Sequence, residues 1–140
     1  MNLISLSIKQ DHLKELEAIS KESLPNESCA ILLGEINPKN QHTVKKIIKM
    51  ESSVQTSDYF EINPINLLDV YMKSKDMNLD VIGIFHSHPS MAFPSKTDLL
   101  YMEINPVIWL IYSTTELIFR AFLLDEEKKI NKITINEVKE

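Results

Sequence analysis

Two histidines stand one residue apart, His86 and His88, and an aspartate, Asp98, follows ten residues after the second. The run before them, V-I-G-I-F at 81–85, reads as a buried strand. Residues i and i+2 of a strand share a face, so both imidazoles aim the same way at its end. Pro89 has no N–H for a further ladder bond, so the strand stops there. A loop then returns the chain to Ser95 and Asp98. Two imidazoles and one carboxylate suffice as protein ligands for a catalytic zinc, leaving a fourth position for water. Zinc lowers that water's pKa to about 7 and so offers hydroxide at neutral pH.

Each residue also has a plainer reading. A His-x-His pair is common on exposed strand ends. Ser95-Lys96-Thr97-Asp98 is a helix start, with a serine cap and an acid three residues on. That explains Ser95 and Asp98 without a metal, but not the two histidines upstream on one strand face. The readings are compatible, because a helix's first turn is a rigid place from which to present a carboxylate. No H-E-x-x-H motif is present, the chain is too short for an eight-stranded α/β barrel, and one cysteine, Cys29, excludes a cysteine-rich zinc site.

Hydrolysis of an amide needs a group that takes a proton from water and gives it to the leaving amine. Spacing alone does not select one among the glutamates. Glu27 stands out locally because it sits between Pro25 and the apolar run 29–34. The plain alternative is an exposed charge at a strand start.

The elements that position these residues follow the chain in order. Residues 3–8 suggest an edge strand, and Leu13, Leu16 and Ile19 give the next segment one apolar helix face. Leu24-Pro25 ends that helix. Residues 29–34 and 43–50 form an antiparallel strand pair. Asn63-Pro64 starts a second helix, which Asn78 ends, and residues 79–85 deliver His86. A short helix begins at Ser95, and strands follow at 107–113, 117–124 and 130–135. This order describes a mixed α/β domain, one sheet with flanking helices, spanning 1–140 as a single domain.

The chain has 140 residues, 44% hydrophobic and 25% charged, with a net charge of −5. The acidic balance argues against nucleic acid as a partner. The longest apolar run, 107–112, is far too short to span a bilayer. A single cysteine, with no leader pattern, fits a soluble cytoplasmic protein.

Taken together, P-N-E-S-C-A-I-L-L-G at 25–34, H-S-H-P at 86–89 and P-S-K-T-D at 94–98 resemble the JAMM (MPN-plus) metalloproteases, across essentially the whole chain. The resemblance implies a cytidine-deaminase-like α/β fold. It implies one zinc ion per chain on His86, His88 and Asp98, Glu27 as the residue that deprotonates the water, and Ser95 as an oxyanion donor. It also implies a zinc-dependent isopeptidase or peptidase acting after the C-terminal tail of a ubiquitin-like modifier or sulfur-carrier protein. Hydrolysis of small peptides or other amides is the alternative, and a non-catalytic scaffold the third. The 89–94 loop is one residue shorter than most members show, and Ala30 replaces a usual glycine. Asp58, Tyr59 and Phe60 in the 51–62 loop, with Met91 and Phe93 on the flap, are candidate substrate contacts, and the tail is expected along a sheet edge. Trp109 reads as core without a functional role, Cys29 as a small buried hydrophobe, and His12 and His42 as solvated.

Overall fold

A computed structural model of the chain describes residues 3–52, 54 and 59–139. Ten elements follow in the expected order: β1 (Ser5–Lys9), α1 (Gln10–Ser23), β2 (Cys29–Ile36), β3 (Gln41–Met50), α2 (Pro64–Asp76), β4 (Asp80–His88), α3 (Lys96–Ile104), β5 (Ile108–Ser113), β6 (Ile118–Leu124) and β7 (Ile130–Val138). The strands lie in the order β1-β3-β2-β4-β5-β6-β7 and close on themselves. Closure comes from β1, which pairs in parallel with both β3 and β7.

β1 is therefore not an edge strand. Its alternation of serine with Leu6 and Ile8 correctly marks one buried face. Alternation reports which face is covered, however, and says nothing about how many neighbours the backbone has. Pairing on both sides of β1 closes the sheet, but β1 covers only Gln41–Thr43 of β3, and residues 44–50 of β3 have a strand partner on one side only among the described residues. One isolated antiparallel bridge, Ser52 to Ile62, lies outside the named strands.

Local chemistry explains the element ends. α1 stops at Ser23, and Leu24 before Pro25 is extended, because a residue preceding proline is pushed out of helical geometry. α2 starts where Asn63 accepts the backbone N–H of Ile65 and Asn66, with Pro64 at the first helical position. It ends at Asp76 with Met77 as its cap, after which Asn78 takes a left-handed φ of 57°, a conformation asparagine tolerates well.

The sheet buries apolar side chains on both faces. One cluster joins Leu13, Leu16 and Ile19 of α1 to Leu6, Leu32 and Phe85. The other joins Val70 of α2 and Met102 of α3 to Ile31, Ile84, Trp109 and Phe122. Gly34 sits where β2 and β3 shift register, and a Cβ there would overlap the Thr43 carbonyl oxygen. Gly34→Ala is expected to destabilise the fold by roughly 1–3 kcal/mol, read as a lower denaturant midpoint at unchanged slope.

Candidate metal centre and active site

β4 runs three residues beyond the apolar stretch, so His86 and His88 belong to the strand itself. Its neighbours are β2 on one side and β5 on the other, which buries both histidines almost completely. They share a face, as i and i+2 residues must. Asp98 arrives from α3, where Ser95 and Asp98 form a capping box. The Asp98 N–H donates to Ser95 Oγ at 3.1 Å, and the Ser95 N–H donates to Asp98 Oδ2 at 3.0 Å. The helix start and the carboxylate's placement are one feature. Ser95 keeps its hydroxyl proton for another acceptor.

Asp98 Oδ2 stands 3.0 Å from His88 Nε2, and Asp98 Oδ1 stands 3.5 Å from His86 Nδ1. Glu27 Oε1 lies 3.7 Å from His86 Nδ1. Side-chain ligand atoms of Glu27, His86 and His88 all fall within 4.8 Å of one another. Two carboxylates and two imidazoles thus converge from three separate stretches of chain.

Asp98 is held below the usual carboxylate range. Burial pushes it up, but His88, His86 and the Ser95 N–H outweigh that. His88 is raised: burial pushes its imidazolium down, and the Asp98 and Glu27 carboxylates outweigh both burial and repulsion from His86. Burial also pushes His86 down, yet Cys29, Glu27 and Asp98 hold it up, to about 10.

The donor set fits a metal ion. His86 Nδ1, His86 Nε2 and His88 Nε2 are buried with no aligned hydrogen-bond partner among the described residues. An unsatisfied buried polar atom costs about 1–3 kcal/mol, and His86 Nδ1 and His88 Nε2, both beside the Asp98 carboxylate, suit a cation. His88 Nδ1 lies 3.3 Å from the Met91 carbonyl. In the neutral ring this puts the proton on Nδ1 and leaves the Nε2 lone pair facing Asp98, the usual way a protein sets a ligand's tautomer.

Two serines with no chemistry of their own fix the Glu27 segment. The Ser28 N–H donates to Ser87 Oγ at 2.9 Å, the two hydroxyls are 2.7 Å apart, and the Ser87 N–H donates to the Ser28 carbonyl at 3.1 Å. Ser87 points away from the histidines that flank it and ties the Glu27 segment to β4. No sequence signal marks this pair, whose members are separated by 59 residues. Ser87→Ala would strand the Ser28 N–H and hydroxyl in a buried place. It is expected to cost about 1–3 kcal/mol and to lower activity with metal content unchanged, measured by unfolding, assay and metal analysis on one preparation.

Aromatic rings wall the site. Trp109, read as plain core, lies 5.1 Å centroid to centroid from His86, and its Nε1–H donates to the Asn105 carbonyl. Phe60 is 4% exposed and stands edge-on to His86 at 5.7 Å. Phe60 also borders a cleft of about 420 Å³ lined by Glu27, Asn26, Lys49, Glu51 and Ser52 among others. Tyr59, Met91 and Phe93 are exposed, and Asp58 lies outside the described residues. Cys29 is fully buried opposite His86 in the β2–β4 register. His12 and His42 are half-buried rather than solvated, each with Nδ1 shielded and unpaired among the described residues. Burial pushes His42 down.

Such a centre on such a sheet defines a metallohydrolase-type site in an α/β domain. A family model described as prokaryotic homologs of the JAB domain matches residues 9–124. Desampylase of Pyrococcus furiosus is 33% identical over 133 residues, 94% of this chain and 89% of that protein. CysO-cysteine peptidase of Mycobacterium tuberculosis is 25% identical over 95 residues, 67% of this chain and 63% of that protein. The solution structure of protein DSY2949 from Desulfitobacterium hafniense has the same fold, with a TM-score of 0.84 at 23% identity, over 96% of this chain and 94% of that one. The chain belongs to the prokaryotic JAB-domain family and is a JAMM-type peptidase. None of its described helices is long and apolar enough to cross a membrane.

Proposed function

We propose that the chain is a zinc-dependent isopeptidase that cleaves the amide after the C-terminal tail of a ubiquitin-like modifier or sulfur-carrier protein. The observation that carries this reading is the convergence of Glu27 with His86, His88 and Asp98 beside an open cleft. Names borne by two relatives, desampylase and CysO-cysteine peptidase, support the substrate class.

His86, His88 and Asp98 would hold the zinc, because Asp98 approaches both imidazoles while Glu27 approaches one more loosely. Zinc supplies Lewis-acid polarisation and a lowered water pKa when bound. Glu27 takes the proton of the attacking water and delivers it to the leaving nitrogen. Ser95 donates a hydrogen bond from its hydroxyl to the carbonyl oxygen as charge grows there, its Oγ being fixed by the Asp98 N–H. The tail lies in the cleft beside Glu27, where the ends of β3 and the Ser52–Ile62 bridge offer extended backbone.

The test is a panel of conjugates joined through Gly-Gly tails, set against short unrelated peptides, with zinc-loaded and chelated protein. Zinc-dependent cleavage at the glycine–amine bond, located by mass spectrometry, is expected for the conjugates. Equal rates on unrelated peptides would shift the reading to a small-peptide hydrolase.

A further inference from the structure

The sheet row that carries the site continues past His86. His86 pairs with Ile111 on β5, and Ile111 pairs with Arg120 on β6. Directly paired residues share a face, so Arg120 lies two strand spacings, about 10 Å, along the face that bears the site. Arg120 is the chain's single arginine. It is half-buried, and its guanidinium has no ion pair or hydrogen bond among the described residues.

Arg120 lines a cleft of about 320 Å³ with Lys132, Glu116, Met91 and Phe93. Phe93 packs edge-on against Phe122 at 5.3 Å and roofs it. The flap that forms this wall also sets His88, through the Met91 carbonyl. Glu116, in the same cleft, accepts the Ala92 N–H at 3.3 Å. Two cations therefore face one carboxylate. The cleft on the other side has the opposite balance: Glu22, Glu27 and Glu51 against Lys49. An anionic group on a substrate is steered away from Glu27 and toward the flap.

We infer that Arg120, with Lys132, binds a carboxylate carried by the leaving-amine half of the substrate. This rests on the tail-peptidase reading above. The acyl half has no carboxylate to offer there: its own terminal one is consumed in the scissile amide, and its glycine end has no side chain. The amine half supplies one in either of two ways. A single leaving amino acid brings its α-carboxylate, and an acceptor lysine in a protein brings an acidic neighbour. The guanidinium fork takes either in two parallel hydrogen bonds, which an ammonium alone does not reproduce.

Four substrates separate the sources. One Gly-Gly-ended tail peptide is joined to an amino acid with a free carboxylate, to the same amino acid as its amide, and to a lysine flanked by glutamate or by glutamine. With zinc-loaded protein, the acid member of one pair is expected to lead its neutral partner by about 10- to 100-fold in kcat/KM, the range of a charge-assisted hydrogen bond. Arg120→Gln is expected to collapse that lead, and Arg120→Lys to restore part of it. Equal wild-type rates on acid and neutral partners would overturn the inference, as would equal losses on both in Arg120→Gln.

A binding arm needs no turnover. ¹⁵N-labelled protein is titrated with N-acetylglycine and with N-acetylglycinamide. Amide shifts at Arg120, Lys132 and Phe93 with the acid alone, lost in Arg120→Gln, are expected. Acid binding without cleavage of any conjugate would leave the carboxylate site standing and sink the tail-peptidase reading. No acid binding would sink the site whatever the turnover.

Discussion

Glu27→Gln keeps the metal and loses about 10²- to 10⁴-fold in turnover, the range of general acid–base assistance. Glutamine keeps the size and hydrogen-bonding reach of glutamate but cannot take a proton from water. Glu27 is almost fully buried, and its segment is tied to β4 through Ser28 and Ser87, so the substitution leaves the surroundings intact. Metal analysis alongside the assay separates two roles that the geometry brings close together. Glu27 shares a 4.8 Å cluster with both histidines. If metal content fell in step with activity, Glu27 would be a ligand and not the proton carrier. Full activity with glutamine would remove it from the chemistry altogether.

How far the sequence reveals this protein differs from residue to residue. The order of all ten elements is legible because several boundaries carry a local signal, such as Leu24-Pro25, Asn63-Pro64 or the Ser95 cap. Closure of the sheet is not legible. It depends on β1 reaching two partners far along the chain, β3 and β7, and alternation in five residues cannot encode that. The metal cluster is half legible. His86 and His88 follow from strand periodicity, while Asp98 looks equally like a cap. The structure shows why both readings fit: one capping box fixes the helix and turns the carboxylate toward His86 and His88. Glu27 stands out locally beside the apolar run 29–34, but its role is assigned only through the family pattern, since its link to β4 is a tertiary serine pair. Trp109 was passed over because an aromatic in an apolar strand looks the same whether it backs a core or an imidazole.

His88→Ala abolishes metal retention, and activity with it. The variant removes one of two imidazoles and leaves Asp98 buried without its nearest partner. Asp98 lies 3.5 Å and Glu27 3.7 Å from the remaining His86 Nδ1, so one imidazole with carboxylates alone would be left to hold the ion. Dialysis against a chelator followed by zinc return should restore the wild type and leave this variant inactive. The same centre has a defined pH sign. In the metal-free protein the carboxylates hold His86 and His88 in the protonated form more strongly than in the unfolded chain. That stabilisation is complete below about 6.5 and is lost as pH rises through the folded values, about 10 for His86. Asp98 acts in the other direction: its contribution is present above the ordinary aspartate range and is lost as pH falls through its lowered value. Zinc needs the neutral imidazoles, so its binding expels protons and tightens as pH rises. Calorimetric titration of zinc in buffers of different ionisation enthalpy should show net proton release at neutral pH in the wild type. A wild-type protein that bound zinc without releasing protons would contradict the assignment of both histidines as ligands.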